Sequence, residues 1–377
     1  MPRKEAQLQT KAAVMMDAGK NWEVADLDLD PPRTGEVLLR MVASGLCHTD
    51  EHVRTGDIVP RFPFVGGHEG AGIVEQVGPG VSRLAPGDHV VCSFLPVCGR
   101  CRFCATGRSN LCDLGAGVLD GSMLDGTFRF HRGQEQLGGF GMLGTFAQWA
   151  VLSETSCVKI DSDVPLDTAV LLGCGVVTGW GSVVHAGGAV PGDTVVIYGV
   201  GGVGINAVQG AVHAGARNIV AVDPVAAKLA KARELGATHL ASSAAQAAAT
   251  VGEITRGVGA DVAVITVSVA SAEVTTAGFE VIRKGGTLVL TSVAFPAAKT
   301  VELPGTMLTL WEKRIQGSMY GSSNPFHEIP WLIEMYRAGK LELDGLVTTR
   351  YRLADINQGF DDMLAGRNIR GVIVHEH

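Results

Sequence analysis

Between Gly45 and Gly72 the chain reads GLCHTDEHVRTGDIVPRFPFVGGHEGAG. It carries a thiol (Cys47), an imidazole (His68) and a carboxyl (Glu69), with Thr49 and His52 between them. A soft thiolate and a neutral imidazole are ligands that Zn²⁺ favours, and three protein ligands with one open position make a catalytic site. Two such ligands are at hand in this stretch. The best candidate for the third is Cys174, in LLGCGVVTGWG, which only a fold can bring near.

A second group of thiols stands in CGRCRFCATGRSNLC, at Cys98, Cys101, Cys104 and Cys112. Gaps of two residues are too tight for neighbouring disulfides without strain. Four thiolates on one tetrahedral Zn²⁺ satisfy the spacing and leave no open position, which is a structural site. The alternative is a reduced, metal-free loop. Cys92 and Cys157 lie in apolar surroundings and read as inert core residues.

A third motif is Gly199-Val200-Gly201-Gly202-Val203-Gly204, with Asp223 closing the next apolar run. G-x-G-x-x-G alone is weak. Here it follows a strand pattern, opens a helix pattern and has an acid about twenty residues on, which is the dinucleotide fingerprint. Glycines let the backbone approach a pyrophosphate, whose charge meets the helix N-terminus. Asp223 accepts from ribose hydroxyls and repels a 2′-phosphate, so NAD is expected rather than NADP.

The elements that position these groups fall into two kinds. KAAVMMDAG, GEVLLRMVASG, GAGIVEQVGPG and APGDHVVCSF read as short strands closed by turns, which predicts a compact β-rich region. LGTFAQWAVL resumes the strands, while DGTFRFHRGQEQLGGFG has no clear period and reads either as a cleft border or as a plain surface loop. From Pro165 the pattern turns helical, then alternates strand and helix to about residue 321. The tail reads as two helices and short strands.

At 377 residues the chain suggests two domains. Its composition, 46% hydrophobic and 18% charged, supports large cores, and a net charge of -7 with no Lys/Arg cluster excludes nucleic acid as a natural partner. The start, MPRKEAQLQTKAAV, has no apolar run behind its charges and no secretory signal is expected. Val195–Ala216 is apolar but carries Asn206, Gln209 and His213, so a buried strand and helix are expected there rather than a membrane span. A soluble, cytoplasmic protein follows as the expectation.

Gly67-His68-Glu69, with Gly72, Gly78 and Val81 at the following intervals, resembles the zinc alcohol dehydrogenase signature of the medium-chain dehydrogenase/reductase superfamily. The similarity runs from Lys11 to His375. GLCHTDEHVRTGD, LPVCGRCRFCATGRSNLCDLGA, CGVVTGWGS, GVGGVGINAVQGA and AGRNIRGVIV are most similar to the actinobacterial nicotinoprotein alcohol dehydrogenases, which use N,N-dimethyl-4-nitrosoaniline (NDMA) as artificial acceptor and keep NAD(H) bound. The resemblance implies an α/β architecture: a GroES-like catalytic domain over 1–176 and 322–377 with two zinc sites, and a doubly wound Rossmann NAD-binding domain over 177–321.

It also implies roles. Cys47, His68 and Cys174 match the ligands of the catalytic zinc, a Cys₂His set already associated with alcohol dehydrogenases. Glu69 is then a carboxylate behind the metal or a transient ligand, against the alternative of an ordinary surface glutamate. Thr49 passes the alcohol proton through a cofactor ribose hydroxyl to His52, near solvent, because histidine titrates around neutrality; the alternatives are a strand-end hydroxyl and a surface histidine. Asp50 orients His68. His48, when protonated, and Arg370 meet the pyrophosphate, with a simple salt bridge as the alternative for Arg370. Thr178 and Lys228 face the cofactor, a solvated helix lysine being the other reading of Lys228. Phe94 lines the substrate pocket or is simply core.

The implied function is oxidation of primary or small secondary alcohols by hydride transfer to NAD, with two zinc ions per subunit and an acceptor that recycles NAD(H) in place. Two other functions compete. Glutathione-dependent formaldehyde dehydrogenases carry an arginine soon after the last zinc-loop cysteine, where this chain has DLGAGVLDG. A non-catalytic NAD-binding homologue would not need Cys47, His68, Cys174, Thr49 and His52 all intact. By resemblance a homodimer or homotetramer is expected, and the apolar GGTLVLTSVAFP and the strand near Ile315 are segments that could pair across a two-fold axis.

Overall fold

The computed structural model describes residues 8–292 and 301–377. The first seven residues of the N-terminal stretch and the last four of GGTLVLTSVAFP lie outside the described residues. The chain divides into two compact units, Met1–Cys174 with Asn324–Tyr336 and Leu343–His377, and Gly175–Ser323 with Arg337–Glu342.

In the first unit, five strands close a small barrel: Leu8–Met15, Glu23–Leu29, Phe130–Arg132, Glu135–Gly139 and Phe64–Val65. Alternation along them turns Val14, Leu27, Leu29, Phe130 and Leu137 into one apolar core. The segment DGTFRFHRGQEQLGGFG, read above as a cleft border or a surface loop, supplies two barrel strands. Their period was hidden because they are only three and five residues long.

A second sheet runs Cys157–Ile160, His89–Cys92, Gly70–Val77, Glu36–Gly45, Arg370–Val374 and Val347–Tyr351, with Trp149–Ser153 also on Glu36–Gly45. The C-terminal strand lies antiparallel to the one that leads into Cys47, with Val372 opposite Gly45. That register sets Arg370 beside the site.

In the other unit, six parallel strands take the order His239–Ala241, Asn218–Val222, Thr194–Tyr198, Ala260–Ile265, Ile282–Leu290, Arg314–Gly317. This is the third-second-first-fourth-fifth-sixth order of a doubly wound dinucleotide fold. Runs such as TVVIY are buried at every position, as a parallel sheet covered on both faces requires. Among the described residues no single helix is long and apolar enough to cross a membrane.

One buried group makes the fold sensitive to acid. The Ser44 hydroxyl donates to the Thr145 carbonyl at 2.6 Å, so His375, whose Nε2 lies 2.9 Å from the same oxygen, must donate through Nε2–H. Any added proton falls on Nδ1, which is buried without a partner. Burial, aided by the neighbouring His377, pushes His375 down to about 3. In the unfolded chain histidine titrates near about 6.5, so the unfolded state binds the proton first and stability falls from about pH 6.5 towards about 3. The slope from this group is at most about 1.4 kcal/mol per pH unit. His375→Gln keeps a donor for Ser44 and removes the titration. The stability difference between wild type and variant, followed by chemical denaturation, is expected to shrink on acidification; a pH-independent difference would contradict it.

Candidate metal centre and cofactor cradle

Cys47 is the N-cap of the helix His48–Thr55, with extended backbone (φ -125°, ψ 148°). It is delivered at the point where the strand Glu36–Gly45 gives way to helix. His68 and Glu69 follow the short strand Phe64–Val65 through Gly67, whose φ of +88° and contact with the Phe146 backbone admit no side chain. Cys174 occupies a break (φ -153°, ψ -70°) between the helical turn Val170–Gly173 and the helix Gly175–Gly181. The helical pattern predicted there is present, interrupted at the ligand.

These three elements bring Cys47, His68, Glu69 and Cys174 together, with one donor atom of each within 4.8 Å of the others and all four residues buried. Asp50 lies behind His68, its Oδ2 3.1 Å from Nδ1, while Asp50 Oδ1 accepts from the Gly67 N–H at 3.1 Å. Nδ1 thus faces the carboxylate, but both His68 nitrogens and Asp50 Oδ2 are buried without a well-directed hydrogen bond. Glu69 is fully buried and pairs with Arg370, itself buried. Arg370 thus makes the salt bridge named above as the alternative to a pyrophosphate contact, and Glu69 is no surface residue.

The hydrogen bond from Cys174 holds the Cys47 thiol well below its usual range, with His68 and Arg370 helping against burial. The same bond and burial hold Cys174 high. Burial works to lower His68, yet Asp50 and Cys47 together raise it well above its ordinary value. Burial pushes Glu69 up to about 7 against the pull of Arg370. Two sulfurs and an orphaned imidazole nitrogen in a dry pocket fit Zn²⁺ by chemistry and by the unpaired atom.

Phe94 packs edge-on against His68 at 5.5 Å, and so does Phe140. Phe140 was not foreseen; it sits in the segment whose strands were missed. Thr49 lies in the first turn of the helix rather than at a strand end, its Oγ1 3.5 Å from Cys47 Sγ. His48 precedes it, half-buried. His52, expected near solvent, is 5% exposed, and its Nδ1 lies 2.8 Å from Asp57 Oδ2, which also accepts from Thr55. Asp57 was also unforeseen. Its signal is the left-handed Gly56 that ends the helix and turns the next acid back onto the ring.

The four loop cysteines converge as well, with Cys98 to Cys104 and Cys101 to Cys112 each 3.9 Å between sulfurs. A disulfide needs about 2.05 Å. A tetrahedron with Zn–S near 2.3 Å has edges of about 3.8 Å. Backbone N–H groups of Cys98, Arg100, Cys101 and Cys104 donate to these sulfurs, as thiolates require. The donor set fits a closed structural zinc.

In the other unit the strand Thr194–Tyr198 ends at Gly199 (φ +88°) and the helix Gly204–His213 begins five residues later. A Cβ on Gly204 would lie 1.8 Å from the Gly199 carbonyl oxygen, whereas one on Gly201 would meet nothing within 4 Å. The backbone at Gly201, Gly202 and Val203 is partly exposed, leaving room for a ligand against it. Asp223 is buried at the end of the next strand and accepts from the Val200 and Val225 N–H groups at 3.1 and 2.9 Å. Each of its oxygens keeps a lone pair for a further donor. Thr178 and Lys228 lie on the helices Gly175–Gly181 and Ala226–Glu234 of this unit. The cradle fits a dinucleotide.

Residues 33–162 match the family described as alcohol dehydrogenase GroES-like domain, and residues 202–337 that described as zinc-binding dehydrogenase. The chain is 58% identical to an NDMA-dependent alcohol dehydrogenase of Amycolatopsis methanolica, over 98% of this chain and 99% of that one. A solved structure of an alcohol dehydrogenase zinc-binding domain protein from Burkholderia ambifaria superposes with a TM-score of 0.92 at 34% identity, covering 99% and 100%. Benzyl alcohol dehydrogenase from Acinetobacter calcoaceticus gives 0.91 at 33% identity, covering 98% and 100%.

The two donor sets predict separable metal losses. Elemental analysis of purified protein is expected to find about two zinc ions per chain, Cys47→Ser about one, with the fold intact. Cys104→Ser is expected to lower thermal stability as well, since a structural zinc contributes folding energy. Two zinc ions retained in Cys47→Ser would contradict the assignment.

Proposed function

Since the chain belongs to the zinc-dependent medium-chain alcohol dehydrogenase family, we propose that it oxidises primary or small secondary alcohols to carbonyl compounds, keeping NAD(H) bound and passing its electrons to an external acceptor. The observation that carries the reading is the buried convergence of Cys47, His68, Glu69 and Cys174. When bound, zinc supplies a Lewis acid for the alcohol oxygen and nicotinamide supplies the hydride acceptor. The protein's own part is to hold and move charge. Cys47, His68 and Cys174 would hold the metal, with Asp50 beside His68 Nδ1 to fix the tautomer. Thr49 sits against Cys47 where it can take the substrate proton. His52, braced by Asp57, receives it. Phe94 and Phe140 present apolar edges beside His68 and exclude water there. His48 serves the pyrophosphate, Lys228 and Thr178 flank the nucleotide, and Arg370 holds Glu69. No base stands in DLGAGVLDG, which argues against a glutathione adduct as substrate.

Retention of the cofactor is supported by the Amycolatopsis relative, whose name states dependence on NDMA. Eight cysteines, none in a disulfide, and two thiolate metal sites suit a reducing cytoplasm. A second copy is the favoured partner. The strand Arg314–Gly317 is the sheet's edge and is flanked by exposed Leu310, Trp311 and Met319.

Protein purified without added nucleotide and then denatured is expected to release about one NAD(H) per chain, and to oxidise alcohols with NDMA and no added NAD. Nucleotide-free protein that turns over only with free NAD would refute retention. In sedimentation, Leu310→Asp with Met319→Asp is expected to reduce the particle mass; an unchanged mass would rule out pairing through this edge.

A further inference from the structure

The unit with the parallel sheet holds a hydroxyl network, centred on buried Ser182, that the mechanism above does not use. Ser182 begins a π-helical turn, Ser182–Ala186, at the end of the helix Gly175–Gly181, and is wholly buried. π-Turns inside helices are uncommon and frequent at functional sites. The Ser182 hydroxyl donates to the Thr178 carbonyl at 2.6 Å. Its oxygen lies 2.8 Å from Thr291 Oγ1 and 3.3 Å from Ser318 Oγ. A serine hydroxyl has one proton and two lone pairs. The proton is used on Thr178, so both neighbouring hydroxyls must donate to Ser182. The network has one polarity, and it ends on Thr178.

Its other members sit at a telling place. Thr291 is the first residue past the strand Ile282–Leu290, and Ser318 the first past Arg314–Gly317. These are the fifth and sixth strands in sheet order. A doubly wound sheet takes one mononucleotide on each half, at the carboxyl ends of its strands. Asp223 assigns the adenosine to the first half, so the fifth and sixth strands belong to the nicotinamide half.

Close backbone packing holds the same helix at both ends of the cradle. A Cβ on Gly179 would lie 2.0 Å from the Val203 carbonyl oxygen of the glycine turn, and one on Gly181 would lie 2.3 Å from the Gly321 carbonyl oxygen. The helix is therefore wedged between the pyrophosphate turn and the turn Tyr320–Ser322 beyond the sixth strand. Small rotations of it are blocked, and the hydroxyl network fixes what remains.

We infer that Ser182 is a positioning residue for the nicotinamide half of the bound dinucleotide, acting with Thr291 and Ser318 through Thr178. This rests on the NAD(H) reading above. Removing the Ser182 hydroxyl takes one donor from the Thr178 carbonyl and leaves buried Ser318 and half-buried Thr291 without the acceptor they share, which favours a shift of the segment. The adenosine half, carried by Gly199–Gly204 and Asp223, is untouched.

The test compares NADH with ADP-ribose, which lacks nicotinamide, on full-length zinc-loaded protein stripped of nucleotide. In Ser182→Ala, calorimetry is expected to show NADH binding weakened by about tenfold and ADP-ribose by less than about threefold. The fluorescence of bound NADH is expected to shift towards that of the free nucleotide. Ser318→Ala removes only the longest bond and is expected to give the same pattern at about threefold, which keeps the inference testable if Ser182→Ala fails to fold. Equal weakening of both ligands, or unchanged NADH binding, overturns the inference and leaves the NAD(H) reading standing. Wild-type protein that binds neither ligand overturns both.

Discussion

Two thiols, an imidazole and two carboxyls are buried around one point with a single permanent cation, Arg370, among them. Burying unpaired charge is among the costliest things a fold can do. Arg370 meets Glu69, Asp50 meets His68, and what remains is a donor set that only a further cation completes. Much of the first unit is arranged around that requirement. The C-terminal strand is threaded beside Glu36–Gly45 and brings Arg370 in, and the left-handed Gly67 turns His68 and Glu69 inward.

Two kinds of anion chemistry are thereby handled in separate places. The first unit concentrates sulfur and carboxylate donors for metal. The second leaves partly exposed residues at a strand end, with Asp223 braced by N–H donors beside them, an arrangement that fits a dinucleotide. Both cradles are held by short-range constraints, a helix cap at Cys47 and a glycine turn before Gly204, rather than by long loops. That suits a reaction in which hydride and proton positions decide the rate.

How much of this was legible in the sequence depended on how local each signal is. The four-cysteine loop and the glycine fingerprint are spacing motifs, and spacing survives folding unchanged. The parallel sheet announced itself through long apolar β-branched runs. Cys174 was legible only through family resemblance, because its approach to His68 is a tertiary fact. The barrel strands Phe130–Arg132 and Glu135–Gly139 are too short to show a period, and Phe140 was hidden with them. Asp57 and the Arg370–Glu69 pair were obscured for another reason: each depends on where a chain reversal or a strand register sets a side chain, and single-residue identities do not encode that.

The central claim is that the buried Cys47, His68 and Cys174 hold zinc with a position left open. X-ray absorption at the zinc edge of purified protein tests it directly. Two filled sites, one all-sulfur and one Cys₂His whose open position takes a water, predict about three sulfur and about one nitrogen or oxygen neighbour per zinc on average. Sulfur neighbours alone, at about four per zinc, would mean that only the cysteine loop is filled and would contradict the account.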